Sequence, residues 1–344
     1  MISLLLPTFF LFLFGFFNLF GIKPVLGSTM LLNFTVGLFF FFIFKKLSWK
    51  FFRENSTLFY WLFIGILLIT YIIGLEVKGS KRWIDLFFFR FQGSEFFKIF
   101  FILFFADFFS KFSKSENIFL TLTKTLIYFA LPTLIIFKQP DLGNAMVYVF
   151  VFFVLLFFSS VPKKNVLYLL GSLCAFLPFG WFFLKEYQKS RIISFFQPHL
   201  DTQQNAYNMI QAMITIGSGT FFGRGLGLGT QSKLYFLPEN STDFAFSSLV
   251  EQFGFVGGLL TLILYVVILY MLFKRSQKFV LKDDETGKYT FLYILGMMSF
   301  IFFQVMVNIG MNLGILPIAG IALPFISYGG SMIVSLMIGF ALIP

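Results

Sequence analysis

Apolar residues along this chain gather in long blocks separated by short polar or basic stretches. The blocks fall at 3–21, 29–44, 57–74, 94–110, 118–137, 144–160, 166–184, 243–273, 289–310 and 322–342. Most run for roughly 16 to 25 residues, the length that crosses ~30 Å of hydrocarbon at ~1.5 Å per residue. The pattern predicts an all-α polytopic membrane protein, a bundle of about ten transmembrane helices. A large outer loop, 185–242, separates spans seven and eight, and residues 1–344 read as a single integral-membrane domain. The eighth block is too long for one perpendicular crossing, so it tilts or begins above the membrane. The first block has no basic leader and no small-residue cleavage site, so it reads as a span and not a removed signal peptide.

Composition agrees. The 344 residues are 58% hydrophobic and only 12% charged, too few charges to cover a soluble protein of this size. A net charge of +11 would suggest nucleic acid in a soluble chain, but here loop charge reports topology, and no nucleic-acid partner is expected. With the N-terminus inside, the cytoplasmic connections hold Lys45, Lys46, Lys50 and Arg53, then Lys111 and Lys114, Lys163 and Lys164, and Lys274, Arg275, Lys278, Lys282 and Lys288. Basic inner loops are what the positive-inside rule requires. One cysteine, Cys174, excludes an intrachain disulfide, and one histidine, His199, excludes a multi-histidine metal site. The 59 phenylalanines read as Phe standing in for Leu and carry no chemistry.

Two outer segments break the charge rule. Residues 75–98 carry Lys78, Lys81, Arg82, Arg90 and Lys98, and residues 185–242 carry Lys185, Lys189, Arg191, Arg224 and Lys233. They either meet anionic lipid head groups or form a site for an anionic substrate, with Asp243 at its edge. In "GSKRWIDLFFFRFQGSEFFKIFF" (79–101), a helix capped by Ser94 sets Glu95 and Lys98 at i and i+3 at membrane depth, as a structural ion pair or part of a site. In "KQPDLGNAM" (138–146), Asp141 is placed to cap the sixth span, with Lys138 and Gln139 beside it. Ala206, Met209, Ile210, Met213 and Ile214 recur at helical spacing, predicting an amphipathic outer helix that ends at Gly217. The glycines at 217, 219, 223, 225, 227 and 229 fit no nucleotide fingerprint; they form a surface loop or a backbone cradle for phosphate. Pro317, Pro324 and the Gly329–Gly330–Ser331 run predict irregular backbone at membrane depth, with Asn308, Asn312 and Ser327 serving packing or lining a polar cavity.

Six stretches, "GSKRWIDL…FRFQGSEFFK", "KQPDLG", "YQKSRI", "IGSGTFFGRGLGLGTQS", "FLPENSTDFAFS" and "NIGMNLGILPIAGIALPFISYGGS", resemble in order the shape, elongation, division and sporulation family of bacterial cell-wall polymerases. The likeness runs from about residue 70 to the end, and "KQPDLG" with "GTQSKLYFLPE" is more similar to the elongation branch than to the division branch. The resemblance implies a ten-span peptidoglycan glycosyltransferase acting on lipid II at the outer face of the cytoplasmic membrane. It implies Asp243 of "TDF" as catalytic residue, and Arg82, Glu95, Lys98, Arg191 and Gln231 as substrate-binding positions. It also implies a single-span class B penicillin-binding protein as partner, alongside other elongation-complex membrane proteins. Two departures stand out: Ser241 occupies the family's usual histidine position before "TDF", and Glu251–Gln252 replaces an acidic pair.

Such a reaction joins an acceptor 4-hydroxyl to a donor anomeric carbon with inversion. It needs a base, here Asp243, and positive charge for the departing diphosphate, here Arg82, Lys98 and Arg191, with a divalent cation such as Mg or Mn as a possible helper and no other cofactor expected. Asp243 and Glu251 within one helix would lie about 12 Å apart along the axis and about 80° around it. That is too far for a glycosidase pair, which sits about 5–9.5 Å apart, so Glu251 reads as structural. A helix-end acid stabilised by the helix dipole is the plain alternative for Asp243. At the level of the whole chain, a lipid II flippase or a scaffold is the alternative to an enzyme.

Overall fold

Helices occupy most of the chain in a computed structural model, which describes residues 2–77, 80–85, 90–112, 117–198 and 205–344. Lys78, Lys114 and His199 lie outside these residues. The helices are α1 (Ile2–Ile22), α2 (Pro24–Leu47), a short α3 (Trp49–Glu54), α4 (Ser56–Ile73), α5 (Gly93–Ser110), α6 (Ile118–Lys138), α7 (Leu142–Phe158) and α8 (Lys163–Gly180). There follow α9 (Glu186–Phe196), α10 (Asn205–Ser218), a short α11 (Thr230–Lys233), α12 (Ala245–Gln277), α13 (Glu285–Asn312) and α14 (Gly330–Ala341). Helices covering α1, α2, α4, α6, α12 and α13 are long and apolar enough to cross a membrane, while α7 and α14 are shorter apolar helices. The chain is a multi-pass, helical membrane protein.

Three elements differ from the sequence expectation. A small antiparallel sheet, β1 (Leu75–Val77), β2 (Ser80–Asp85) and β3 (Arg90–Gln92) in that order, precedes α5. Its strands are too short to announce themselves by alternation. α5 starts at Gly93, so Ser94 is inside the helix and not its cap. The last apolar block becomes helical only from Gly330, because the stretch 313–329, which contains Pro317 and Pro324, stays irregular.

The chain forms two compact units, each drawn from three stretches. In the unit of residues 39–180, 271–300 and 334–344, α5 is the buried centre: every residue of it except Phe108 is buried. Phenylalanine rings fill the space around it. Phe63 of α4 stacks on Phe100 at 4.5 Å, and Tyr60 lies 4.3 Å from Phe104. Phe101 meets Tyr148 of α7 edge-on at 4.9 Å, and Phe105 meets Phe152 at 5.2 Å. Such pairs add to the gain from burying large apolar area. At the far end of α5, the buried Asp107 accepts from Arg53 Nε (3.0 Å), Ser56 Oγ (3.0 Å) and Lys111 Nζ (2.7 Å), which offsets the cost of burying its charge.

The other unit, residues 1–38, 181–270 and 301–333, is organised by a break in α12 at Gly254, whose φ of 72° and ψ of −172° are not helical. The break strips main-chain groups of their helical partners, and the glycine-rich loop replaces those partners. Arg224 N donates to Glu251 O (2.9 Å) and Gly225 N to Gln252 O (3.1 Å), while Phe255 N and Val256 N donate to Thr220 O and Phe221 O (2.9 and 3.2 Å). Backbone meets backbone here, so there is no room for side chains. A Cβ on Gly254 would lie 2.3 Å from Gly223 N.

Gly254→Ala should therefore fail to fold properly, because the residue needs a conformation essentially reserved for glycine and costing about 1–3 kcal/mol otherwise, with a backbone collision added. Gly65→Ala, in α4 with nothing within 4 Å, should leave stability unchanged or slightly raised. Detergent-solubilised yield and thermal midpoint of the two variants, compared side by side, test this.

Candidate functional site

Asp243 sits in the turn before α12, two residues ahead of its first residue Ala245 and half-buried. It is thus not in the helix, and the helical separation from Glu251 expected from the sequence does not apply. What holds the turn is a run of consecutive carbonyls, each with its own donor. Ser241 O accepts from Tyr328 N (2.7 Å), and Thr242 O from Ser327 Oγ (2.6 Å). Asp243 O accepts from both Asn308 Nδ2 (3.0 Å) and Asn312 Nδ2 (3.1 Å). Asn308, Asn312 and Ser327 are fully buried. They brace main chain.

The Asp243 carboxylate shares its surroundings with Arg191 of α9. Gly320, at φ +67°, directs the place of its missing side chain at both groups: a Cβ there would lie 3.3 Å from Arg191 Nη1 and 3.7 Å from Asp243 Oδ2. A carboxylate and a permanent cation are thus gathered about one side-chain-free backbone position. The Arg191 guanidinium also lies over the Tyr187 ring, 5.8 Å from its centre. Beneath this site, Met209, Ala212, Leu237, Phe244, Met311 and Ile318 form a buried apolar cluster.

Glu251 proves structural. It is fully buried, and its carboxylate accepts from Gln231 N (2.8 Å), Ser232 N (3.0 Å), Ser232 Oγ (2.6 Å) and, more weakly, Ser218 Oγ (3.4 Å). Several donors on one carboxylate stabilise its charge without a cation. Gln231 is therefore tied through its main chain to Glu251, with its side chain half-exposed. Gln252 exploits both ends of its amide: Oε1 accepts from Gly227 N (2.9 Å), and Nε2 donates to Asn18 O (3.0 Å) and Asn18 Oδ1 (2.7 Å). An ionised acid at this position would have no donor for Asn18. The N–H groups of Arg224, Gly225 and Gly227 are all engaged with α12, so the glycine-rich loop is a brace for that helix and not a phosphate cradle.

The remaining expected positions lie in the other unit. Glu95 and Lys98 form a buried pair, Oε1 to Nζ at 2.6 Å, with Lys98 over the Phe300 ring at 5.0 Å. Glu95 Oε2 has no partner among the described residues. Arg82 donates through Nε to Gln139 O (3.1 Å) and through Nη2 to Pro140 O, and its Nη1 lies 3.6 Å from Asp141 Oδ1. Asp141 caps α7 as expected, accepting from Asn144 N (3.3 Å). Arg82 thus fastens the 138–141 turn. Sequence reading overlooked Asn18, which lies in an apolar helix with no recognisable pattern around it.

Lys98→Met leaves the Glu95 charge buried and unpaired and should cost about 3–5 kcal/mol. The double variant Glu95→Gln/Lys98→Met should recover most of that loss. Thermal unfolding of both in the same detergent gives the answer, and equal losses would contradict the buried-pair account.

The family model for the FtsW/RodA/SpoVE cell cycle proteins matches residues 10–344. The peptidoglycan glycosyltransferase MrdB of Escherichia coli (strain K12) is 37% identical over 273 residues, covering 78% of this chain and 71% of the relative. The peptidoglycan glycosyltransferase RodA of Treponema pallidum (strain Nichols) is 33% identical over 366 residues, covering 85% and 82%. A solved structure described as the structural coordination of polymerization and crosslinking by a peptidoglycan synthase complex superposes with a TM-score of 0.84 at 26% identity, covering 100% of this chain and 96% of that one. With a match extending over almost its whole length, the chain belongs to the FtsW/RodA/SpoVE family of cell cycle proteins.

Proposed function

We propose that the chain is an inverting peptidoglycan glycosyltransferase that polymerises lipid II outside the cytoplasmic membrane during cell elongation, with Asp243 as its base. The observation that carries the reading is the braced turn that sets the Asp243 carboxylate and the Arg191 guanidinium about Gly320. Relatives named as peptidoglycan glycosyltransferases support the reaction class.

The Asp243 carboxylate takes the proton of the acceptor 4-hydroxyl as that oxygen attacks the donor anomeric carbon. The new bond is the glycosidic C–O bond. The bond broken joins the anomeric carbon to the diphosphate, which leaves as polyprenyl diphosphate. Arg191 is the cation placed to stabilise that departing charge, because Arg82 and Lys98 already hold carbonyls and a carboxylate of their own unit. Among the described residues no three carboxylate, histidine or cysteine side chains gather to hold a metal. A divalent cation, Mg or Mn, would if bound add to the positive charge that stabilises the departing diphosphate. The structural likeness to a complex that both polymerises and crosslinks supports a class B penicillin-binding protein as partner.

Purified chain, with its partner and lipid II in detergent, should yield glycan strands, and Asp243→Asn should abolish them. Detergent removes the distinction between membrane faces, so a pure flippase makes no strands in this assay. Strand synthesis by Asp243→Asn at the unmodified rate would sink the base assignment. Gly320→Ala should lower turnover at least tenfold, since its Cβ would crowd Arg191 in a left-handed conformation costing about 1–2 kcal/mol. Strand length on gels, scored per folded molecule, reads this effect.

A further inference from the structure

Helix α13 ends in two carboxamides one turn apart, Asn308 and Asn312, and both donate to the same acceptor, the carbonyl of Asp243. Each has a second duty. Asn308 Nδ2 also donates to Ile321 O (2.7 Å), the residue that follows Gly320. One amide therefore ties the main chain of Asp243 to the main chain beside which Arg191 lies. Asn312 Oδ1 accepts from Ser247 N (3.1 Å) and Ser247 Oγ (2.6 Å). Ser247 N is among the first N–H groups of α12, which have no partner within the helix. An acid just ahead of a helix usually caps such groups itself. Here the cap of Ser247 N comes from α13.

We propose that Asn308 and Asn312 are positioning residues for glycosyl transfer. Asn308 sets the spacing between Asp243 and the Gly320 main chain beside Arg191. Asn312 caps α12 at Ser247 from outside and holds the Asp243 carbonyl with the same carboxamide. Neither amide touches substrate; both act through the Asp243 main chain. The inference rests on the reading of Asp243 as the base. Substituting aspartate for either asparagine keeps its shape, removes the donors and turns an acceptor towards a carbonyl. The expected result is a misplaced carboxylate, and displacements of ~1 Å at such a site cost about 100-fold in rate.

The test uses the purified chain with its partner and lipid II, and compares Asn308→Asp, Asn308→Ser, Asn312→Asp and Asp243→Asn. Positioning predicts that kcat per folded molecule falls tenfold or more in both aspartate variants, with KM for lipid II within about twofold of the parent. Asn308→Ser, which retains a single shorter donor, should recover part of the lost kcat. A structural role alone would lower thermal midpoint and yield while leaving kcat per folded molecule intact, and that outcome overturns the proposal. So does a failure of all three asparagine variants to fold, since the amides would then be scaffold. Wild-type kcat in Asp243→Asn would instead reject the base reading itself, whatever the asparagine variants do.

Discussion

Main-chain groups cannot be left buried and unpaired, and that constraint governs how the unit around Asp243 is built. Each such group costs about 1–3 kcal/mol if left without a partner. The break at Gly254 creates the debt within α12, and residues 219–227 settle it by matching the carbonyls of Glu251 and Gln252 and the N–H groups of Phe255 and Val256. The buried Glu251 carboxylate then anchors the continuation of that loop at Gln231 and Ser232. The turn bearing Asp243 follows, and its carbonyls are claimed in turn by Tyr328, Ser327 and the pair Asn308 and Asn312. The placement of the Asp243 carboxylate in this unit is thus a by-product of main-chain satisfaction.

The outlines of this arrangement were legible in the sequence. Apolar run length placed α1, α4, α6 and α13 within a few residues, because a helix in lipid must hide its own backbone whatever surrounds it. The acid at 141 announced a cap through its position before an apolar run. Partners separated by long stretches of chain were not legible. Asn308 and Asn312 look like packing residues until the Asp243 carbonyl, 65 and 69 positions away, arrives beside them. Arg82 read as a substrate cation, yet its donors meet Gln139, Pro140 and Asp141, contacts that only folding creates.

The phenylalanines illustrate a different division of labour. Their number carries no chemical message, but in the unit centred on α5 they supply edge-on and stacked contacts on several sides. That aromatic packing surrounds the Glu95–Lys98 pair near the start of α5 and Asp107 towards its other end. A low-dielectric surround strengthens paired charges and penalises unpaired ones, so the same rings that make the helix greasy make its few charges matter.

Asn18 and Gln252 lock α1 to α12 through an amide exchange spanning 234 residues of sequence. During synthesis at roughly 5–20 residues per second, Asn18 enters the membrane roughly 10–50 s before Gln252 exists. Throughout that interval the first helix carries a polar side chain with no native partner in hydrocarbon. The amide must be borrowed by water, by lipid head groups or by the insertion machinery, and then released. Assembly of this unit therefore includes an exchange of hydrogen-bond partners, in which α1 docks on a helix synthesised much later.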